Sequence, residues 1–286
     1  MSRRLLYLIL ILSFAQIISC QSQKMYTSAI STDNYGNEKK IRPINLIDNP
    51  TANSISPKDF QVLLRLYHSG GIVGGLTAGL SDELMFGISY GGQNIIGQGN
   101  VIWNQSPGVN IRYKIMNEFL SYQSSYYSLP EIAIGFDSQG YGSYFPDLSR
   151  YQIKSKGLYL VVSQNVTIFG GLGFHGGINY SLENKKDKEK DIDFFCGVNF
   201  NLDKHISLLW EYDFATNDNS NKALGSGKGY MNAGLRWYFS PSFAIEFSSK
   251  NLLNNYREID GEQVHNANRE LKIIYFQSLN FSESKQ

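Results

Sequence analysis

Gly171-Leu-Gly-Phe-His-Gly176 matches G-x-G-x-x-G, and it contains His175, one of only four histidines in the chain. The pattern can mark a dinucleotide-binding turn. That turn needs a strand before it and a helix after it, because the pyrophosphate sits at the helix N-terminus. Here Gly177-Ile-Asn-Tyr-Ser-Leu182 follows, which reads as strand, and no helical period appears before Lys190. No cofactor is therefore expected. His175 could instead serve a hydrolase, paired with an acid or a serine. In phase with it are Glu131, Asp137, Glu211, Asp213 and Asn179. No G-x-S-x-G elbow is present. The plainer reading is a charged interior in which Arg65, Arg112, Lys114 and Arg236 neutralise the carboxylates, and no catalytic residue is assigned.

Metal chemistry has little support. His68, His175, His205 and His265 fall in different elements, without ligand spacing. Asn217, Asp218, Asn219 and Asn221 offer the oxygen atoms that calcium takes, but the stretch lacks D-x-[DN]-x-[DN]-G and holds a single carboxylate. The run Lys185–Lys190 (KKDKEK) is mixed in sign and reads as a solvated loop tip.

The elements that must hold these residues are strands. From Lys58 onward the chain alternates with period two. The runs are Asp59–Tyr67, Ile72–Leu80, Glu83–Tyr90, Gly108–Met116, Glu131–Asp137, Gly157–Ser163, the glycine stretch itself, Asp191–Asn201, His205–Phe214, Gly229–Phe239, Ser242–Ser249 and Arg269–Phe281. One face carries apolar bulk. The other carries the polar residues Arg65, Arg112, Lys114, Glu131, Asp137, His175, Asn179, Asp193, Glu211, Asp213, Arg236 and Glu246. These are the candidate lumen-facing residues of a closed sheet, with the glycines of 171–177 on the same inner face.

The connections separate a barrel from a sandwich. On one side they are mostly tight: Leu80–Glu83, Gln164–Thr167, Leu202–Lys204 and Ser240–Ser242, with Asn117–Pro130 the long exception. On the other side they are mostly long and polar: Gly91–Pro107, Ser138–Lys156, Ser181–Lys190, Ala215–Lys228 and Lys250–Asn268, with His68–Gly71 the short exception. Short turns on one rim and long loops on the other mark outer-membrane barrels. Composition agrees. Charged residues are 18%, aromatics 14%, with 27 glycines and 7 prolines, and mean hydropathy is −0.27, as when apolar outward positions are diluted by polar inward ones. The net charge of +1 gives no sign of nucleic-acid binding. The expectation is an all-β, antiparallel transmembrane barrel of about twelve strands in the bacterial outer membrane. Outer-membrane lipids would surround it, and an even strand count puts both termini in the periplasm.

The first residues read as an export signal. Arg3 and Arg4 precede the apolar run Leu5–Phe14, too short to span as a helix, and Ile17-Ile-Ser-Cys20 follows. That order matches a lipoprotein signal cleaved before Cys20, the candidate lipidation site. The domain expectation is a signal peptide at 1–19, a periplasmic tether and lead-in at 20–57, and the barrel at 58–286. With Cys20 lipidated, Cys196 has no disulfide partner in the chain.

The lead-in Asn45–Phe60 (NLIDNPTANSISPKDF) resembles the G-L-x-x-x-P-T-A element that opens the barrel region of YjbH-like outer-membrane proteins. Leu46, Pro50, Thr51 and Ala52 match, and Asn45 stands at the first position. Ile132–Gly142 is similar to segments of the same group. The resemblance implies an outer-membrane barrel or lipoprotein linked to exopolysaccharide production, and it carries no catalytic residues. YjbH-like chains are much longer, so one barrel portion is matched. The expected function is a non-enzymatic envelope component, porin-like, assisting exopolysaccharide secretion with other export components, or small-solute passage. The alternatives are an outer-membrane hydrolase using His175 and a surface adhesin using Gly91–Pro107 and Ser138–Lys156.

Overall fold

The computed structural model describes residues 42–117, 130–166, 171–257 and 268–278. Two compact units divide the chain. Of the first, Met1–Arg42 with Glu118–Leu129, only Arg42 is among the described residues. The second, Pro43–Asn117 with Pro130–Gln286, holds every feature below. Cys20, His265, Phe281 and the tip of Asn117–Pro130 lie outside the described residues.

The described residues form fifteen strands: β1 (Asp59–Tyr67), β2 (Gly71–Gly79), β3 (Leu84–Gln93), β4 (Ile102–Trp103), β5 (Gly108–Met116), β6 (Glu131–Asp137), β7 (Tyr141–Phe145), β8 (Arg150–Ile153), β9 (Gly157–Val166), β10 (Leu172–Tyr180), β11 (Asp193–Asn201), β12 (Ile206–Asp213), β13 (Tyr230–Ser240), β14 (Phe243–Lys250) and β15 (Asn268–Ser278). Leaving out the two-residue β4, twelve of them run in one antiparallel sheet, β2-β1-β15-β14-β13-β12-β11-β10-β9-β6-β5-β3, and the pairing of β2 with β3 closes it into a ring. Closure leaves no unpaired edge, which an antiparallel sheet of this size must otherwise cover.

Alternation decides which face each side chain takes. In β10, Gly173, His175 and Asn179 are buried, while Phe174 and Ile178 are exposed. The same rhythm leaves Val62, Leu76, Ile88, Ile134, Phe194 and Phe247 exposed on the outer face. Water would not tolerate a continuous apolar band of this kind; the hydrocarbon of a bilayer does. Aromatic groups mark both rims of the band. Phe194, Tyr212 and Phe214 cluster toward the long-loop rim, and Trp237, Phe239 and Phe243 toward the short-turn rim.

Sequence and structure differ in the loops. Ser138–Lys156, read as a polar loop, holds the β7–β8 hairpin, and all four residues of β8 are buried. The β8 side chains are turned inward, while the hairpin tip at Pro146 and Asp147 is exposed. The KKDKEK run is also corrected. Lys185, Lys186, Lys188 and Lys190 are exposed, but Asp187 and Glu189 turn inward and are buried.

Candidate functional site

Residues 43–57, read from sequence as the end of a periplasmic lead-in, are inside the ring. They form a small hairpin of their own. Leu46 N–H donates to Asn49 O at 2.9 Å, Thr51 N–H donates to Ile44 O at 3.1 Å, and Thr51 Oγ1–H donates to Pro43 O at 2.7 Å. Leu46 through Asn53 are all buried. Their partners come from strands all round the ring, which only a central position permits.

The wall reads this plug through its backbone. The Glu211 carboxylate on β12 accepts from Ile47, Asp48 and Asn49 N–H at 2.9–3.0 Å, and from Asn232 Nδ2 at 2.7 Å. Consecutive N–H groups forming a concave anion nest suit a carboxylate. On β5, Arg112 donates to Ile44 O at 2.7 Å, Asn53 O at 2.6 Å and Asn45 Oδ1 at 2.8 Å. On β13, Arg236 donates to Asn45 O at 3.1 Å and Leu46 O at 2.9 Å, and it pairs with Glu246 on β14. Lys272 on β15 donates to Ile47 O and pairs with Glu246 at 2.8 Å. The plug's own acid, Asp48, pairs with Lys250 at 2.6 Å and stands 3.7 Å from Arg65. Both of these cations also face Glu270. Leu46 and Ile47 pack with Leu209. Gly197 leaves room for them: a Cβ there would sit 2.4 Å from Leu46 Cδ1 and 2.6 Å from Trp210 O.

The other lumen candidates are placed as follows. Lys114 stands 4.0 Å from Glu131. Asp137 accepts from Asn110 Nδ2 at 3.0 Å. Asp193 accepts from Thr216 N–H at 2.9 Å. Asp213 accepts from Ala215 N–H at 2.8 Å and pairs with Lys156. Asn179 is buried beside Asp193 and Asp213 at a cavity of about 10 Å³, the size of one water.

His175 is buried, and its hydrogen bonds go to Ser163 and Asn199 rather than to the acids or to Asn179. Nδ1 is 2.7 Å from Ser163 Oγ, and Nε2 is 2.8 Å from Asn199 Oδ1. Ser163 Oγ also accepts from Ala52 N–H of the plug at 2.7 Å. A neutral imidazole protonated at Nε2 satisfies all three contacts. The serine–histidine–asparagine geometry looks hydrolytic, but Ser163 is 1% exposed, and its oxygen is engaged by the plug. The arrangement works as a plug contact. Gly173 makes it possible, since a Cβ there would lie 2.2 Å from Asn199 Oδ1 and 2.9 Å from His175 Nε2.

From the long-loop side the β7–β8 hairpin closes down onto the plug. Tyr141 OH donates to Asp48 O at 2.5 Å. Arg65 and Lys250 lie over the Tyr141 ring, at 4.7 and 4.9 Å from its centroid. Above them Arg150 holds Asp218 by two bonds, at 2.6 and 2.9 Å, and Tyr230 OH adds a third at 2.8 Å. Burial pushes the Asp218 carboxyl up, but the hydrogen bonds and charge of Arg150 outweigh it and leave the group below its ordinary range. Lys154 pairs with Asp187 at 2.7 Å. Asp187, Glu189 and Asp218 lie within 4.8 Å of one another, as metal ligands do, but Arg150 and Lys154 already meet their charge.

Sequence reasoning missed Glu270, Lys272, Lys250 and Ser163 in this site, and it put Asn199 on the polar face of its strand without giving it a role. All five are on strands and in phase with inward residues, so the alternation itself could have found them. Lys156 and Tyr141 lie off the barrel strands, and no periodicity marks them.

A closed ring with an apolar exterior and a charged interior defines a transmembrane β-barrel of the outer-membrane type, filled by its own N-terminal segment and one of its long loops. No family model and no curated protein matches the chain. Among solved structures it is similar to the NanC porin, at 12% identity and TM-score 0.45, covering 76% of this chain and 99% of that one. The KdgM porin gives 11% and 0.42, over 76% and 98%. Outer membrane phospholipase A from Escherichia coli gives 10% and 0.38, over 79% and 92%. At these similarities the ring of hydrogen-bonded strands fixes the class, not the neighbours.

Proposed function

We propose that this outer-membrane barrel passes a polar solute through its lumen and that residues 43–57 close the passage at rest. One observation carries the reading: the plug is held mainly by wall side chains bonding its backbone. Arg112, Arg236, Lys272 and Glu211 contact plug atoms that water can replace, so the wall stays a competent aqueous lining once the plug leaves. A purely structural barrel would gain more from an apolar filling, since buried ion pairs repay their desolvation poorly. The first barrel strand starts and the last one ends at the short-turn rim, where Asp59 pairs with Ser278; we assign that rim to the periplasm. The YjbH-like likeness of Asn45–Phe60, the plug stretch itself, supports a saccharide chain as cargo. The sealed Ser163 supports a non-enzymatic role.

Conductance in planar bilayers tests the reading. The full chain should be quiet, and a variant lacking residues 43–53 should show steady open channels. If that variant retains a heat-modifiable, folded barrel and stays silent over a wide voltage range, solute passage is wrong.

A further inference from the structure

The connection from β3 to β5 differs from the other long loops. Between Gly91 and Pro107 it carries no charged side chain, whereas 138–156, 181–192 and 214–229 all carry several. Yet Ile96, Val101, Ile102 and Trp103 within it are exposed, Ile96 to 58% and Trp103 to 53%. The loop is fastened, not loose. Asn94 and Ile96 N–H donate to Ser69 O and Gly70 O, and Asn104 N–H donates to Gly91 O. Gln105 Oε1 accepts from Tyr144 OH. Trp103 lies flat against Tyr90, with centroids 5.8 Å apart and planes 4° apart. Tyr90 is an outward, exposed residue near the long-loop end of β3. The apolar patch of the loop is thus continuous with the band that faces lipid.

We propose that this loop docks on the membrane, with Ile96, Val101, Ile102 and Trp103 seated at the boundary between headgroups and acyl chains of the outer leaflet. The proposal rests on the barrel reading. Three observations favour lipid as the occupant: continuity with the lipid-facing band, the absence of charge over the whole segment, and a tryptophan at the edge, where its amphipathic ring is at home. The loop would then pin the long-loop rim at a fixed depth.

The chain has three tryptophans, Trp103, Trp210 and Trp237, all on the outer surface, so each can be isolated by changing the other two to Phe. The three variants are reconstituted in phosphatidylcholine vesicles with bromine at shallow or deep acyl positions, and iodide probes from water. Folding is checked by heat-modifiable migration. Trp103 should be quenched several-fold more by shallow bromine than by iodide, and Ile96→Ser with Ile102→Ser should weaken that quenching. Trp103 quenched by iodide like free tryptophan, while Trp210 and Trp237 answer to bromolipid, would overturn the docking and leave the barrel intact. Iodide reaching all three would sink the barrel reading itself. Trp103 shielded from both quenchers, in a protein that cross-links as a dimer, would assign the patch to a second copy and refute lipid docking.

Discussion

Glu211 and Asp48 meet in the middle of the barrel, both acidic, with the Glu211 carboxylate accepting the backbone N–H of Asp48 at 2.9 Å. The contact is attractive because each charge is met by a different set of groups. Glu211 is met by the N–H nest at the plug tip and by Asn232. The Asp48 side chain is met by Lys250 and Arg65. The wall therefore grips the plug tip by its backbone and by its one charged side chain.

Glu211→Gln should release the plug more than any other single wall substitution. An amide has one accepting oxygen where the carboxylate has two, and its NH2 faces donors. Losing charge-assisted bonds to buried N–H groups costs about 3 kcal/mol, on the order of a hundredfold in the open fraction. Single-channel open probability checks it. A variant as quiet as the wild type would show that Glu211 does not hold the plug.

Asp48→Asn should open the channel less. Breaking a buried pair costs most when it orphans a charge. Here Lys250 keeps Glu270 at 3.3 Å and Arg65 keeps it at 3.2 Å, so the cost should be nearer about 1–2 kcal/mol. The ordering Glu211→Gln above Asp48→Asn in open probability is the readout, and the reverse ordering would place the main grip on the side chain.

Gly173→Ala should loosen the inner face at His175. The added methyl would overlap Asn199 Oδ1, so the His175–Asn199 bond breaks or the strand shifts, at about 2 kcal/mol. The melting temperature of the purified barrel should fall. His175→Ala should lower it too, through the orphaned Ser163 and the cavity, with no loss of ester hydrolysis because Ser163 is sealed. Hydrolysis that appears in wild type and vanishes in His175→Ala would restore the enzyme reading.

The ring was legible in the sequence because alternation reports which face a side chain takes, as Leu271 and Ile273 against Glu270 and Lys272 illustrate. The plug was legible only as a lead-in, Asn45–Pro57, at the periplasmic rim or folded into the barrel mouth. Asn45–Asn53 is polar and without period, as a linker is, and much of its hold comes from bonds that Glu211 and Arg112 make to its backbone, which no side-chain pattern reports. Asp187 and Glu189 were hidden for a related reason. Their partners Arg150 and Lys154 lie more than thirty residues upstream, on a hairpin too short to show a strand pattern.

Protection of the β7–β8 hairpin should depend on pH in two directions. Asp218 is held below its ordinary value, so its contribution is present above about pH 4 and is lost as pH falls through the folded value. Glu183 accepts from Tyr151 N–H at 3.1 Å, and burial pushes its carboxyl up to about 7. Its contribution is therefore full below about pH 4.3 and is lost as pH rises through about 7. The hydrogen-exchange protection factor across Tyr141–Ile153, the intrinsic exchange rate at each pH divided by the observed one, should be highest near about pH 4. Asp218→Asn should remove the acid limb, and Glu183→Gln the neutral one. A protection factor that is flat with pH would detach both groups from the hairpin.

Tyr141 is where the hairpin from the long-loop side touches the plug from the short-turn side, so its two contacts can be separated. Tyr141→Phe deletes the bond to Asp48 O and keeps the ring beneath Arg65 and Lys250, at a cost of about 1 kcal/mol. Tyr141→Ala also removes the ring and opens a cavity beside Ile153, Ala215 and Tyr230, at a cost of about 3–5 kcal/mol. If the hairpin and plug move as one body, both variants should raise channel opening and hairpin exchange together and in that order. If they move separately, Tyr141→Ala should speed exchange in the hairpin while the channel stays quiet, because Glu211, Arg112 and Arg236 hold the plug without it. Measuring conductance and exchange on the same two variants therefore distinguishes a coupled lid from two independent closures.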